Sequence, residues 1–294
     1  GQGVNYRITY SKIEDRNAVD EIVHPGARGV LTYLRVSEPL DVHYLGDLPS
    51  GGGLGASSAY VVGLLRAVRE LLMQRYAGDV YPLMQRYAGD VYPRYLAKEA
   101  ILIERDVIGE AVGDQDQLFA AYGGLRYFRF EQDGSVYTDQ VRLSEELSQT
   151  LFASLVLVYT GTTRYAHEMA AKVIEAIPDR QPQLHRLAAL AKEGLGVLQY
   201  GTLVQLGTLL HHSWLLKREL HREIAPPIVD ALYEHGLACG AIGGKLLGAG
   251  GGGFMLFAVA PERLARFEQD IGAPCVRFGL APLGCRVIVK GESF

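Results

Sequence analysis

Two glycine-rich windows in this sequence could hold an anion. The first, Leu48-Pro-Ser-Gly-Gly-Gly-Leu-Gly-Ala-Ser-Ser-Ala59, runs directly into the strongest helical pattern of the chain. A glycine loop lets backbone N–H groups converge, and a helix start adds unpaired N–H groups and the positive end of its dipole. This combination suits the phosphates of a nucleotide, and Ser57 and Ser58 could cap the helix or reach a metal. The alternative is a glycine-rich turn in which a serine is only the N-cap.

The first window does not fit two widespread types of phosphate loop. It lacks the lysine before Ser or Thr that a Walker loop requires. Gly51, Gly53 and Ala56 match a relaxed dinucleotide fingerprint, but no second strand ending in an acid follows about 20 residues later. The nearest acid, Glu70, lies inside the predicted helix. A Rossmann oxidoreductase is therefore disfavoured.

The second window spans residues 243–253 and precedes a strand instead of a helix. It includes four consecutive glycines, residues 250–253. Each glycine costs backbone entropy on folding and has no side chain that could pack in return. They indicate that a ligand or another stretch of backbone approaches closely. Lys245, in the same window, either supplies charge to a phosphate or is solvated, and the sequence leaves both open.

Acidic residues between the windows could supply the groups that phosphoryl transfer needs. Glu104 is predicted to end a helix, and Asp114 or Asp116 to begin the next one. A carboxylate at such a junction is often an N-cap, which we expect for Asp114. If the glycine windows hold phosphate, Glu104 and Asp116 become candidates for a metal ligand and for the carboxylate that positions the attacking hydroxyl.

The composition is that of an ordinary globular protein. The 294 residues suffice for one large domain or two small ones, and 48% are hydrophobic and 21% charged. A net charge of −4 offers no basic field to nucleic acid or an anionic membrane. The longest apolar runs fall short of the ~20 residues that span a bilayer. Three cysteines without CxxC spacing argue against a disulfide framework and a zinc site, and favour a cytoplasmic setting.

Hydrophobic periodicity predicts a mixed α+β chain in two halves, with a boundary in the polar stretch 144–150. Predicted helices cover 21–34, 56–72, 94–108, 115–122 and 261–270, and the mostly helical region 163–236 is expected to break near 178–182, 194–201 and 226–227. Predicted strands cover 6–10, 40–45, 155–159 and 254–259, with a hairpin over 126–130 and 136–141 and a strand-like tail.

One segment is duplicated. The eleven residues LMQRYAGDVYP occur twice in succession, at 72–82 and 83–93. Two such short copies are too few for a solenoid, and we interpret them as a loop insertion without a function of its own.

Taken in order, these motifs resemble those of the GHMP kinases, the superfamily of galactokinase, homoserine kinase, mevalonate kinase and phosphomevalonate kinase. Residues 49–59 are similar to its central phosphate loop, although Ala56 stands where a serine is commoner. Residues 245–254 are similar to its C-terminal glycine motif. Glu104 and Asp116 are twelve residues apart, like the acid pair of the galactokinase branch. The resemblance covers nearly the whole chain.

Within that superfamily the chain is most similar to the D-glycero-D-manno-heptose 7-phosphate kinase group. The stretches that carry this similarity are Ser11-Lys-Ile-Glu14, Asp20-Glu-Ile-Val-His-Pro25, Gly113-Asp-Gln-Asp-Gln117, Tyr122-Gly-Gly124, Tyr159-Thr-Gly-Thr-Thr-Arg164, His212-Ser-Trp-Leu-Leu-Lys217 and Gly240-Ala-Ile-Gly-Gly-Lys245. The similarity implies an ATP-dependent transfer to the anomeric C1 hydroxyl of the heptose 7-phosphate.

The resemblance also implies an α+β fold and a set of roles. Residues 1–148 would form a domain like ribosomal protein S5 domain 2, and residues 149–294 a ferredoxin-like domain, with ATP in the cleft. The phosphates would be held by Pro49, Ser50, Gly51, Gly52, Gly53, Leu54, Gly55, Ala56, Ser57 and Ser58. Ser58 and Glu104 would bind Mg²⁺, Asp116 would orient or deprotonate the acceptor hydroxyl, and Gly250, Gly251 and Gly252 would contact the substrate.

The roles of several other side chains can also be predicted, and for two of them the sequence leaves two roles open. Arg164 could clamp a sugar phosphate with two hydrogen bonds or lie on the surface. Lys217 and Arg218 are expected on an exposed basic face, although Lys217 could join Arg164 in a second anion site. Trp214 is expected in the core, and a structural role is expected for the histidines at 24, 211 and 212.

One departure from the family pattern bears on activity. The family begins with a strand and a turn of the type Pro-Leu-Arg…Gly-Gly-Gly-Thr-Asp, and nothing like it precedes Gly1. Its loss would remove the first strand and part of the site. The alternatives are therefore a kinase for an unphosphorylated sugar of the fucose or galactose type, and a catalytically silent homologue. Retention of both Glu104 and Asp116 disfavours the silent homologue. We expect no nucleic-acid or membrane partner, and a homodimer stays open.

Overall fold

In a computed structural model that describes residues 5–48, 51–75, 91–163 and 166–288, the chain divides into two compact units. Unit 1 comprises Gly1–Ser50, Gly55–Gly123 and Pro282–Phe294, and unit 2 comprises Gly51–Leu54 and Gly124–Ala281. The predicted domain boundary between residues 148 and 149 lies inside unit 2, because residues 124–148 make most of their contacts there.

Unit 1 is built on a three-stranded sheet. Its elements are β1 (Tyr6–Thr9), β2 (Ile13–Arg16), α1 (Pro25–Tyr33), β3 (Leu40–His43), α2 (Ala56–Arg75), α3 (Val91–Leu102) and α4 (Gln115–Tyr122). Strand β1 lies in the middle, antiparallel to β2 and parallel to β3. Helix α2 turns Val61, Leu64, Leu65 and Val68 into the core, as its predicted apolar face requires.

Two predicted helices of unit 1 need correction. The helix predicted over 21–34 starts later, because His24 caps α1 by accepting a hydrogen bond at Nδ1 from the amide of Ala27. A separate 3₁₀ turn, Val19–Glu21, precedes it. The helix predicted over 94–108 ends at Leu102 and continues as a π-helical turn, Ile103–Ile108, which closes at Gly109. A wider turn rotates the side chains that follow, and apolar spacing alone does not reveal it.

Unit 2 contains a four-stranded antiparallel sheet and a separate hairpin. Its elements are β4 (Arg126–Phe130), β5 (Val136–Gln140), α5 (Glu145–Ala153), β6 (Leu155–Tyr159), α6 (Ala166–Tyr200), α7 (Leu203–Arg218), α8 (Pro227–Ala238), β7 (Gly243–Leu246), β8 (Phe254–Ala258), α9 (Pro261–Asp270) and β9 (Cys275–Val276). The sheet order is β7-β8-β6-β9, and β4 pairs only with β5. The predicted hairpin and the α+β class are confirmed. Of the tail that was predicted to be strand-like, residues 275–276 form β9, residues 277–288 form no strand, and residues 289–294 lie outside the described residues.

The core of unit 2 is aromatic. Trp214, Tyr233, Phe257 and Phe267 are fully buried, and the rings of Tyr233 and Phe257 stack with centroids 6.0 Å apart. The prediction that Trp214 belongs to the core is confirmed.

The break predicted at 178–182 is wrong, whereas the break predicted at 194–201 is confirmed at its end, since α6 stops at Tyr200 and α7 begins at Leu203. The helix runs from Ala166 to Tyr200 through Pro178 and Pro182 without interruption. Leu184 and Leu187 pack against the core of unit 2 beyond the second proline, and this burial helps offset the backbone hydrogen bonds that proline removes. The break predicted at 226–227 is confirmed, since α8 begins at Pro227. Most of the duplicated segment lies outside the described residues.

Among the described residues, no helix combines the length and the apolar character needed to cross a bilayer.

Helix α7 packs against strand β7 through two glycines. A Cβ on Gly243 would lie 2.0 Å from the carbonyl oxygen of Gly207, and a Cβ on Gly207 would lie 2.6 Å from Ile242 Cγ2. Only glycine permits this approach of helix and sheet, which places Lys217 at the end of α7 beside β7.

We therefore predict opposite effects for two Gly→Ala substitutions in unit 2. Gly243→Ala should destabilise the protein by about 2 kcal/mol or more, because the clash is with backbone that cannot move aside. Gly196→Ala is the matched control, since no described atom lies within 4 Å of its ideal Cβ in helix α6. It should raise stability by about 0.5–1 kcal/mol. Thermal unfolding measures both, and equal Tm values for the two variants would contradict the packing described.

Candidate functional site

A buried polar cluster joins three elements of unit 1. Ser58, in the first turn of α2, donates its hydroxyl to Glu104 Oε2 at 3.1 Å. The side-chain amide of Gln117, on α4, donates to the same oxygen. Glu104 and Gln117 are each 1% exposed and Ser58 is 5% exposed. The structure thus brings together Ser58 and Glu104, which the sequence named as a pair, and adds Gln117.

The carboxylate of Glu104 is only half satisfied. Its second oxygen, Oε1, has no hydrogen-bond partner among the described residues. Burial raises the pKa of Glu104 to about 7, against the lowering effect of the hydrogen bonds from Gln117 and Ser58, and nearby Glu110 and Asp116 add smaller increases. A buried carboxylate oxygen without a donor is a group that a proton or a hard cation would stabilise.

Asp116 precedes Gln117 on α4 and contacts the first glycine window. It lies in the first turn of α4, and a Cβ on Gly55 would come within 3.1 Å of Asp116 Cγ. Gly55 has a φ of +72°, so both its backbone and its missing side chain suit this contact. The carboxylate of Asp116 is solvent-accessible yet crowded by protein atoms, and this partial desolvation raises its pKa.

Asp114 does not cap α4 as predicted. Its carboxylate forms an ion pair with Arg105, whose guanidinium also donates to the carbonyl oxygen of Val112. The residue adopts a helical φ of −95° instead of the extended backbone of an N-cap. Asp114 therefore fastens the loop before α4 to the π-helical turn that carries Glu104.

Within unit 2, Gly52 and Gly53 of the first glycine window pack against the second window. A Cβ on Gly248 would lie 2.6 Å from Gly53 Cα, and a Cβ on Gly253 would lie 2.3 Å from the carbonyl oxygen of Gly52. The amide of Phe254 donates to the Gly52 carbonyl at 3.1 Å. Close approach of backbone to backbone therefore explains part of the glycine content of both windows.

The second glycine window is tied down along its length. The amide of Gly251 donates to the carbonyl of Ile224 at 2.9 Å, and that of Gly253 donates to the carbonyl of Thr162 at 2.8 Å. The hydroxyl of Thr160 donates to the Gly253 carbonyl at 2.9 Å. Residues 248–253 thus have a defined shape although they contain five glycines.

Two lysines lie next to this window without an acid in contact. Lys217 Nζ donates to the carbonyl oxygens of Leu246, at 3.0 Å, and Gly248. Lys245 Nζ donates to the hydroxyl of Ser213 at 3.3 Å, one helical turn before Lys217 on α7. Neither lysine forms an ion pair with any described residue. The expectation that Lys217 sits on an exposed basic face is wrong, because its ammonium group is turned toward backbone carbonyls.

A positive charge on these two lysines is unfavourable without a negative charge nearby, because both side chains are partly removed from water. Burial lowers the pKa of Lys217 to about 7, with a smaller effect from the charge of Lys245. Burial also lowers the pKa of Lys245. Arg218, in contrast, forms an ion pair with Asp230 at 3.1 Å. Lys217 and Lys245 are therefore the cations whose charge an incoming anion would compensate.

Pro49, Ser50 and Arg164 lie outside the described residues. Sequence reasoning did not identify Gln117 and Thr160, although both belong to motifs that it singled out. Among the described residues, no group of three or more His, Cys, Asp or Glu side chains forms a metal cluster.

Comparison with known sequences bears on both units. Residues 24–124 match the profile described as "GHMP kinases N terminal domain", and residues 187–273 match "GHMP kinases C terminal". The chain is 32% identical over 227 residues to a D-glycero-alpha-D-manno-heptose 7-phosphate kinase of Campylobacter jejuni, an alignment that covers 76% of this chain and 62% of that protein. It is 29% identical over 232 residues to a bifunctional fucokinase/GDP-fucose pyrophosphorylase of Arabidopsis thaliana, covering 76% of this chain and 20% of that protein.

A solved structure shares the fold. The crystal structure of a D-glycero-D-manno-heptose 1-phosphate kinase from Bacteroides thetaiotaomicron superposes with a TM-score of 0.67 at 22% identity, over 97% of this chain and 83% of that one. The expected GHMP kinase fold is thereby confirmed. The chain spans less than two thirds of the length of the two sequence relatives named above.

The buried carboxylate predicts a pH-dependent effect on stability in metal-free protein. Because folding raises the pKa of Glu104 from 4.5 to about 7, ionisation of this carboxyl opposes folding increasingly as the pH rises from 4.5, and the effect is complete above pH 7. Glu104→Gln keeps the shape without the charge. It should therefore raise the stability at pH 8 by at most about 3 kcal/mol and by much less at pH 5. Thermal unfolding in EDTA at both pH values measures this, and a variant that is less stable at pH 8 would contradict it.

Proposed function

The chain belongs to the GHMP kinases, and from that premise we propose that it transfers the γ-phosphate of ATP to a hydroxyl group of a phosphorylated sugar. One observation carries the proposal. In unit 1, the loop that continues into α2 has a buried Ser58–Glu104 pair on its helix and the carboxylate of Asp116 packed against its Gly55. Phosphoryl transfer needs an anion-binding loop, a metal ligand and a carboxylate at the acceptor, and these are the groups present.

The loop is proposed to hold the phosphates of ATP. Its residues 51–55, with Pro49 and Ser50 before them, lead into the 20-residue helix α2, whose first turn contains Ala56, Ser57 and Ser58. Free backbone N–H groups and the helix dipole favour negative charge at this point. The packing of Gly52 and Gly53 against the second glycine window supports this role, since it limits the shapes that the loop can adopt.

The residues present also fit a magnesium ion. The unpartnered Oε1 of Glu104 and the hydroxyl of Ser58 are hard oxygen donors, and we propose that these two side chains hold Mg²⁺ together with the nucleotide. When bound, the ion would neutralise charge on the phosphates. Gln117 then acts as a positioning residue, because its amide holds the carboxylate of Glu104 in one orientation.

Asp116 is the proposed catalytic residue. Its oxygens can accept the proton of the acceptor hydroxyl as that oxygen attacks the γ-phosphorus and the bond to ADP breaks. Partial desolvation raises the pKa of Asp116, which makes its carboxylate a stronger base. The contact with Gly55 fixes the distance between this base and the phosphate loop.

The acceptor is proposed to carry a phosphate of its own. Lys217 and Lys245 supply positive charge without an acidic partner among the described residues, beside the window whose Gly250, Gly251 and Gly252 are proposed to contact the sugar. Arg164 remains a predicted third cation. The similarity to a Campylobacter jejuni heptose 7-phosphate kinase supports the C1 hydroxyl of D-glycero-D-manno-heptose 7-phosphate as the acceptor, with the 1,7-bisphosphate as product.

A second candidate is a kinase for an unphosphorylated sugar of the fucose type. The 29% identity to a fucokinase-containing protein favours it. ADP release measured against heptose 7-phosphate, fucose and galactose separates the two. A preference for an unphosphorylated sugar would leave the kinase proposal standing and reject the phosphorylated acceptor, and a lack of ADP release with every sugar would favour a silent binding protein.

Asp116→Asn tests the proposed base. The substitution keeps the shape and removes the charge, so kcat should fall by about 10²–10⁴-fold, while the Kd of ATP changes little. Asp114→Asn is the matched control, because its carboxylate pairs with Arg105, and its kcat should stay much closer to wild type. If Asp116→Asn turned over at a rate close to that of wild type, Asp116 would not be the base.

Lys217→Met and Lys245→Met test the phosphate-binding cations. A charge-assisted contact contributes about 1.5–3 kcal/mol, so each should raise KM for the sugar phosphate roughly ten- to a hundredfold and leave KM for ATP nearly unchanged. Lys192→Met, at an exposed position of α6, is the control. An increase confined to KM for ATP would assign the two lysines to the nucleotide instead.

A further inference from the structure

Residues 282–288 return to unit 1 and contact both helices that carry the proposed site. The amide of Cys285 donates to the carbonyl oxygen of Ala120 on α4 at 2.9 Å. The thiol of Cys285 donates to the carbonyl oxygen of Val62 on α2 at 3.8 Å. Ala120 follows Asp116 by one helical turn, and Val62 follows Ser58 by the same interval. One residue therefore bonds α2 and α4 a turn beyond each functional side chain.

The approach of this segment to α4 depends on two facing glycines. A Cβ on Gly284 would lie 2.2 Å from the carbonyl oxygen of Ala121, and a Cβ on Gly123 would lie 2.2 Å from the amide nitrogen of Gly284. All of these atoms are backbone, so they cannot rotate away as a flexible side chain could. The segment can reach the end of α4 only because both positions are glycine.

We propose that residues 282–288 form a strap, in which Gly284 and Cys285 are positioning residues that set the placement of Asp116 relative to Ser58. The hydrogen bonds of Ser58 and Gln117 to Glu104 tie α2 and α4 together at their starts. The strap adds a second tie one turn away. Two ties separated along a helix fix its rotation as well as its distance from the neighbour, which a single tie does not.

The chemistry of Cys285 suits this role. Burial raises the pKa of its thiol, against a smaller lowering effect of Arg66, so the group stays a neutral S–H donor at physiological pH. A misplacement of about 1 Å between reacting groups can cost on the order of 10²-fold in rate. The catalytic consequence of the strap rests on the proposed function, whereas its effect on helix order does not.

Two variants and their matched controls test the strap. Gly284→Ala should lift the segment from α4, and Cys285→Ala should remove the contact with Val62. The controls are Gly279→Ala, where no described atom lies within 4 Å of the ideal Cβ, and Cys239→Ser in unit 2. Cys285→Ser is the conservative variant, because its hydroxyl can still donate to the Val62 carbonyl.

Hydrogen exchange and kinetics provide the readouts. Amides of residues 59–62 and 117–120 should exchange about tenfold faster in Gly284→Ala than in wild type or Gly279→Ala. In the same variant, kcat should fall by about tenfold or more with KM for ATP nearly constant. Cys285→Ala should show a smaller loss of the same kind, and Cys285→Ser should restore wild-type values.

Three results would overturn the strap. These are unchanged exchange at both helix starts, a kcat loss that merely follows the unfolded fraction, and a Cys285→Ser variant as impaired as Cys285→Ala. If the wild-type protein phosphorylates no sugar, the proposed function fails, but the exchange experiment still decides whether the strap orders the two helices.

Discussion

The burial of one carboxylate is the constraint on which the arrangement of unit 1 depends. A buried carboxylate that is charged, or that lacks hydrogen bonds to one oxygen, is unfavourable away from water. The elements around Glu104 must therefore supply hydrogen-bond donors and hold the side chain in place. Helix α2 supplies a hydroxyl, α4 supplies an amide, and the π-helical turn points the carboxylate inward. The remaining unsatisfied oxygen shows that the protein tolerates a local energetic cost, which is typical of functional sites.

In unit 2 the groups without an oppositely charged partner among the described residues are two lysines. Lys217 and Lys245 are kept close together beside a window of glycines, and neutral carbonyl and hydroxyl oxygens are their only hydrogen-bond acceptors among the described residues. Burial lowers the pKa of Lys217, with a smaller effect from the charge of Lys245, and such oxygens stabilise an ammonium group less well than a carboxylate does. Among the described residues, unit 1 thus holds a carboxylate, and unit 2 two ammonium groups, without an ion-pair partner.

The sequence predicted those features that local spacing determines. The α2 helix, the 126–140 hairpin and the buried Trp214 follow from apolar periodicity and turn residues, and the structure agrees with them. It did not predict the π-helical turn, since a one-residue shift in apolar spacing over the six residues 103–108 is also typical of an ordinary helix end. The sequence also did not predict that α6 continues through two prolines, or that the ammonium group of Lys217 faces backbone carbonyls. Both depend on partners that are distant in the sequence, as does the pairing of Gln117 with Glu104.

The order in which the chain is threaded through the two units has a consequence for synthesis on the ribosome. Almost all of unit 2 is one continuous stretch, Gly124–Ala281, whereas unit 1 is assembled from three stretches, the last of which begins at Pro282. Unit 2 can therefore begin to fold while unit 1 still lacks the segment that bonds Val62 and Ala120. Although its first residues emerge earliest, unit 1 is the later of the two to complete its native contacts, and during that interval the helices that carry Ser58 and Asp116 are exposed to chaperones and proteases without their final support.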